Sequence, residues 1–558
     1  MIKRLLILLA LLIAVPCSGA TYSFYFSDDA TGNAAGTDTA VDITHCQGPA
    51  GTAGGTCKTL AHAQVMVDFA DVADTVTLYF DRTDTWTYDS AQVSITEVYG
   101  IKVEADDPVV NIDAYGAGAK PKFDGLVGEA GYEDWADVPD HDATNGPKKW
   151  NKFFWFWKAN CSVKNIEISR VYGNGIEFKN GGADSFTVSN CDINNFGNTG
   201  VDSNLGVGEG FVGENSVVEY CTIHTGQQLW LYEKMSGWGG AISFNGGELY
   251  QNNTVRYNIV YDIYGEGINL VSGTTEYNIV GDTYSSAIDL STFDGLSGTN
   301  ICRYNLIIHS DWETSVYDSV NSTGIRIYDE RPGGDNSDGT FDIYGNIVIN
   351  KNFGIWMFMA EDEGNQFALV KVYNNLIVDS HNSNIRLTDP EDFAAGYIYN
   401  NASILYHQTD ATHVSDGDTL PHVNWTISNN AYWTDGGSPT VDANWQTNYI
   451  ITDPLLPGEA LAVNWDGQTG ATYFSDIKYT THLYPTAGAL IQAGLDHAFE
   501  QTFLTTGTDF TNVLSGHSAF VRAEQHLTLP DIGPWARGAA EAVPLYPFQG
   551  AAGNFKYN

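Results

Sequence analysis

The sequence predicts an all-β protein: a right-handed parallel β-helix, or solenoid, with an N-terminal cap and a less regular C-terminal section. Three observations predict it. Short runs of Tyr, Ile, Val, Thr and Asn recur between Gly, Asn and Asp, as strands do. Residues 256–273, RYNIVYDIYGEGINLVSG, are followed by residues 276–293, EYNIVGDTYSSAIDLSTF, the same unit returning after twenty residues. The 3.6-residue period that a helical array would need is absent.

The first twenty residues, MIKRLLILLALLIAVPCSGA, join two cations to an apolar run and then to small residues, the layout of a cleaved secretory leader. The run is too short for a stable membrane span, and no second long apolar stretch follows. An exported, extracellular or periplasmic, monomeric protein with no membrane insertion is expected. Six cysteines remain after the leader, and Cys46 and Cys57 bracket a Gly-rich loop that a local disulfide would staple. With 68 acidic residues against 26 basic ones, the chain repels nucleic acid and anionic lipid.

The asparagine of YNIV serves as an anchor. Equivalent positions are Asn165, Cys191, Cys221, Asn258, Asn278, Asn305, Asn346, Asn375, Asn401 and Asn430. A second short strand follows most anchors, as in GIEFK, GINLV, AIDLS and GIWMF. Such units stack as coils about 4.8 Å apart, the ordinary spacing of paired strands. Asn recurs because stacked amides can bond from coil to coil and satisfy backbone groups that water cannot reach. Cys191 and Cys221 would then be neighbours, as buried thiols or as a disulfide where geometry allows.

The chain here resembles the pectate lyase-like right-handed parallel β-helix proteins of carbohydrate-degrading bacteria. The resemblance rests on YSFYFSDDATGNAAGTDTAVD, CKTLAHAQ and IDAYGAGAKPKFDG near the start, and on LYPTAGALIQAGLD and PDIGPWARGA near the end. It implies a lead-in and cap over 21–150, regular coils over 151–435 and a capping section over 436–558. It specifies the fold more than the activity, since one solenoid carries lyases, hydrolases, epimerases and surface proteins.

Alternation along each second strand points every other side chain outward. Down the coils, the outward column reads Glu177, Asp202, Ser243, Asn269, Asp289, Arg326, Trp356 and Arg386. A second column two residues later reads Lys179, Asn204, Asn245, Val271, Ser291, Tyr328, Phe358 and Thr388. The resemblance implies that a polysaccharide lies on this water-facing strip. Trp356 and Phe358 would stack on sugar rings, with Asn269 and Arg386 contributing polar and carboxylate contacts. Glu177 and Asp202, one strand apart, would raise each other's proton affinity unless calcium or Lys179 intervened. Lyases of this fold are implied to use a basic residue and a cation. That makes Arg326 the first catalytic candidate, with Tyr328 the alternative base and Asp289 beside it. A variant, Arg326→Ala, is expected to lose such activity while keeping its fold.

Two insertions, GQQLWLYEKMSGWGG and HSDWETSVYDSVNSTG, would wall a groove with Trp230, Trp238 and Trp312. Crowding of Asp289, Asp294, Asp311 and Glu313 would instead suit a hydrolase. No His or Cys spacing reads as a zinc site, and no phosphate loop suggests a nucleotide cofactor. The ranking is therefore a polysaccharide lyase on a uronate-containing glycan, then a glycoside hydrolase, then a non-catalytic surface solenoid.

Overall fold

The computed structural model describes residues 19–28, 46–47, 56–87, 99–127, 152–179, 184–204, 214–231, 239–244, 251–291, 298–308, 322–329, 339–349, 351–359, 369–388, 395–405, 411–416, 424–435, 437, 439, 446–447 and 449–451. Residues 1–18, the insertions beyond Leu231 and Ile308, and the C-terminal segment from 452 lie outside them, as do Trp238, Asp294, Asp311 and Glu313.

One circuit shows how the sequence closes into a coil. Asn253–Arg256 lies in a 14-stranded sheet, Ile259–Ile263 in a 13-stranded sheet and Glu266–Val271 in an 11-stranded sheet. Gly273–Glu276 then re-enters the 14-stranded sheet one level along, and every pairing in the three sheets is parallel. Coil-to-coil pairing leaves each unit dependent on its neighbours, which is why a twenty-residue repeat can persist without a core of its own.

The asparagine column forms as expected over most of its length. Asn278 Oδ1 accepts from both the backbone N–H and the side-chain Nδ2 of Asn258, each at 3.0 Å. The same pair of hydrogen bonds links Asn278 to Asn305, Asn305 to Asn346, Asn346 to Asn375, Asn375 to Asn401 and Asn401 to Asn430. Asn165 does not belong to the column. Register aligns it with Asn190, whose Nδ2 donates to Asn165 Oδ1 at 2.7 Å, and Ile166 fills the buried place instead. Asn165, Asn190, Tyr220, Tyr257 and Tyr277 occupy the preceding position, which turns the corner at positive φ of 53–60°. An asparagine is favoured both there and one residue later, so composition cannot separate the two. Tyrosine bears the same backbone because the rings stack, Tyr257 on Tyr220 and on Tyr277 at 5.1 Å.

Cys191 and Cys221 are stacked in the column as buried free thiols, while Cys46 and Cys57 form the expected disulfide. The helix Leu60–Phe69, capped by the Thr59 side chain on the His62 N–H, buries Leu60, Ala63, Met66 and Val67 against the first coil. Coiling begins well before residue 150. Thr75–Asp81 already pairs with Thr21–Phe26 and Val109–Tyr115, so these strands of the lead-in are part of the stack. Those strands alternate in and out cleanly but carry no anchor asparagine, which hides them from a search for YNIV.

Candidate functional site

The 11-stranded sheet runs from Tyr99–Val103 to Thr412–Asp416. Its strands start at a tight corner. A Cβ on Gly324 would meet the Gly354 carbonyl oxygen at 2.4 Å, and one on Gly354 would meet the Asn384 carbonyl oxygen at the same distance. The small residue at the corner turns inward together with the one after it. Residues on either side of that pair, three apart, therefore face outward together: Asn174 with Glu177, Glu266 with Asn269, Phe353 with Trp356.

Register confirms the first outward column. Glu177 pairs with Asp202, Asp202 with Ser243, Ser243 with Asn269, Asp289 with Arg326, Arg326 with Trp356, and Trp356 with Arg386. The second column breaks at an irregularity between Ile268 and Val271. It pairs Val271 with Leu290 and turns Val271 into the core rather than outward.

The strip faces out of the coil, yet much of it is not in water. Glu177, Asp202, Ser243, Asn269 and Asp289 are 1–4% exposed and Arg326 is 6% exposed. Burial at this level demands partners, and they are present. Arg326 donates Nε to Asp289 Oδ1 at 2.8 Å, and Nη2 to Asp289 Oδ2 at 2.6 Å and Glu266 Oε1 at 2.8 Å. A guanidinium forked onto one carboxylate and touching a second is held in place and fully charged. It is therefore neither a base nor a free clamp, which corrects the role expected for Arg326 and for the Asp289 beside it. Arg326→Ala is therefore expected to destabilise the fold rather than spare it, since it would strand two buried carboxylates.

At the other end, Lys152 Nζ lies 2.9 Å from Glu177 Oε1, and Asn174 Nδ2 donates to Glu177 Oε2 at 2.8 Å and Asp202 Oδ2 at 2.9 Å. Lys152 from the preceding coil, not Lys179, neutralises Glu177. This donor set does not fit calcium: an ammonium and an amide already hold both oxygens of Glu177 and one of Asp202. Among the described residues no three His, Cys, Asp or Glu side chains gather to hold a metal ion. Four buried carboxylates, Glu177, Asp202, Glu266 and Asp289, thus stand against two buried cations, Lys152 and Arg326.

The strip opens beyond Arg326. Trp356 and Arg386 are half-buried, with the Arg386 guanidinium 4.6 Å from the Phe353 ring centre and 5.3 Å from that of Trp356. Trp356 Nε1 donates to Thr388 Oγ1 at 2.9 Å, fixing the indole. Among the described residues no carboxylate lies within ion-pair reach of Arg386, and burial draws its guanidinium below the ordinary range. Tyr328 pairs in register with Ser291 and Phe358, and Phe358 with Thr388, which places Tyr328 two strands from Thr388. Both expected insertions leave the stack at the corner between the 13- and 11-stranded sheets, after Gly226 and after Ile308.

A family model described as "Right handed beta helix region" matches residues 153–284. The chain is a right-handed parallel β-helix, the fold of the pectate lyase-like proteins. A search of curated proteins finds no match. Among solved structures, pectate lyase Pel9A is similar at 12% identity and a TM-score of 0.45, covering 94% of this chain and 98% of its own. An alginate lyase from Paenibacillus sp. str. FPU-7 is similar at 13% identity and a TM-score of 0.34, covering 57% and 92%. The catalytic unit of an alpha-1,3-glucanase from Streptomyces thermodiastaticus strain HF3-3 is similar at 14% identity and a TM-score of 0.35, covering 69% and 66%.

Sequence reasoning missed Lys152, Asn174, Glu266 and Phe353, which complete this β-helix's outward strip. Asn174, Glu266 and Phe353 each sit three residues before a predicted outward position, Glu177, Asn269 and Trp356, while Lys152 lies one coil before the predicted column begins. The Gly just after Asn174, Glu266 and Phe353 is the signal that the strand begins with two inward residues in succession; Lys152 is followed by Phe153 and carries no such mark.

Proposed function

We propose that this β-helix acts on a uronate-containing glycan at the Trp356–Arg386 end of its 11-stranded sheet and cleaves it by β-elimination. One observation carries the reading: Arg386 is a half-buried guanidinium laid over two aromatic rings with no carboxylate within ion-pair reach among the described residues. On a chain of formal charge -42, a cation with no acid beside it among the described residues is suited to a foreign one. Elimination needs charge relief at the uronate carboxylate and a base for the adjacent proton. Arg386 supplies the first. Tyr328, two strands away by register, is the candidate for the second. Trp356, its indole fixed by Thr388, offers a flat apolar surface for a sugar face. The leader-like pattern of residues 1–20, two cations followed by an apolar run and small residues, supports the same reading.

Hydrolysis is the second reading, favoured by Glu177 and Asp202 sharing one amide donor on adjacent strands. The test is incubation with polygalacturonate, alginate and neutral glucans, following both conjugated-alkene absorbance and new reducing ends. Elimination predicts alkene with every new end, and a loss of at least about a hundredfold in both Arg386→Ala and Tyr328→Phe. Reducing ends without alkene, lost in Glu177→Gln, would transfer the chemistry to the carboxylate pair.

A further inference from the structure

The outward column extends past Glu177 to Trp155 and Lys102, through the pairing of Glu177 with Trp155 and of Trp155 with Lys102. Here a second cluster of aromatic rings and cations is found. Lys102 Nζ lies 4.9 Å from the Trp155 ring centre, 5.0 Å from that of Trp157 and 5.8 Å from that of Tyr99, and Lys152 Nζ lies 4.0 Å from Trp155. The two indoles meet edge to face at 5.1 Å.

Both indole N–H groups are buried and have no acceptor among the described residues. Trp155 is 3% exposed, so its unpaired donor is a standing cost that a structural role alone does not explain. Trp157, Tyr99 and Lys102 are only partly buried, so the cluster reaches the surface. The acid that meets Lys102, Glu104, is itself half-exposed and readily exchanged. An ammonium and the partly exposed rings of Tyr99 and Trp157, with two unpaired N–H donors just beneath them, match a sugar ring that carries a carboxylate.

We propose that Tyr99, Lys102, Trp155 and Trp157 form a second subsite for an acidic sugar, at the far end of the same sheet from Arg386. Trp155 and Trp356 stand seven strands apart in one column, about 34 Å at the ordinary strand spacing. A chain that engages both ends must bridge that distance, on the order of seven sugar units at about one strand spacing each, and pass outside the buried centre of the strip. Short fragments would reach only one end. This inference rests on the reading that the sheet takes an acidic glycan, and the test separates the two.

Binding of galacturonate trimer and decamer is measured by calorimetry in a Tyr328→Phe background, which limits turnover. Trp157→Phe keeps a ring and removes the N–H; Lys102→Met keeps the stem and removes the charge. Each is expected to weaken decamer binding about tenfold and leave the trimer unchanged. Arg386→Ala is expected to weaken both. Unchanged decamer binding in both outer variants, equal weakening of trimer and decamer, or no decamer binding by the background chain itself would overturn the second subsite. Should Arg386→Ala bind both lengths normally while the outer variants still lose the decamer, the subsite stands and the proposed Arg386 clamp falls.

Discussion

Replacing Arg326 by Met tests whether the centre of the strip is a fixed ionic support. In the native protein the guanidinium makes three short bonds, two to Asp289 and one to Glu266, and all three residues are almost wholly buried. Met restores most of the apolar stem, so loss of packing is small and the change isolates the charge. Two carboxylates are then left without their cation, and breaking a buried pair in this way costs about 3–5 kcal/mol. The penalty has a definite pH dependence. With the cation gone, Asp289 and Glu266 are pushed above their ordinary carboxyl range in the folded state, so the folded form holds protons that the unfolded form has released. Stability of the variant is therefore best preserved below about pH 4 and falls as pH rises through the elevated folded values. Urea unfolding by circular dichroism at a series of pH values reads this directly. A variant within about 1 kcal/mol of wild type at neutral pH, or one whose deficit does not shrink on acidification, would refute the argument.

Asn346→Ala removes the acceptor of two Asn305 N–H groups and the donor to the Cys302 carbonyl, and should cost about 3 kcal/mol, with faster amide exchange on both adjoining coils. Lys351 is wholly buried, its Nζ on Thr283 Oγ1 at 2.8 Å, and burial brings it down to about 7 despite the opposing pull of Asp282. Because its folded value lies below the unfolded one, its burden on stability is greatest below about pH 7 and lifts as pH rises toward the ordinary lysine value. Lys351→Met should therefore be the more stable protein at pH 7 and lose that advantage by about pH 10, as thermal unfolding at the two values would show. Cys161, Cys191, Cys221 and Cys302 are buried, and burial pushes the Cys161 thiol up to about 12. All four should resist a thiol reagent at pH 8 in the native protein and react once guanidinium unfolds it, counted by released chromophore.

The solenoid was legible because its ladder depends on one residue type at one place per turn. Asn258, Asn278 and Asn305 each bond to the next anchor, so the spacing of the letter N already encoded contact in space. The outward column was legible for a similar reason: strict alternation after each anchor fixes a face. What composition could not supply was environment. Arg326 and Arg386 occupy the same column two strands apart, yet one is locked between acids and the other lies on aromatic rings. The difference comes from Glu266 and Phe353, which reach the strip from three residues upstream through a corner that breaks simple alternation. Val271 was misplaced by the same kind of irregularity, one extra residue between Ile268 and the next pairing.

The asparagine column also has an electrical sense. From Asn258 to Asn401, each side-chain amide sends its N–H toward the C-terminal neighbour and receives on its oxygen from the N-terminal one. Six like-oriented bonds add rather than cancel, so the interior of the rod carries an axial polarity, as aligned peptide units do in a helix. Cutting the rod between any two of these levels would uncover hungry donors on one stump and bare oxygens on the other, and the two stumps would not be interchangeable.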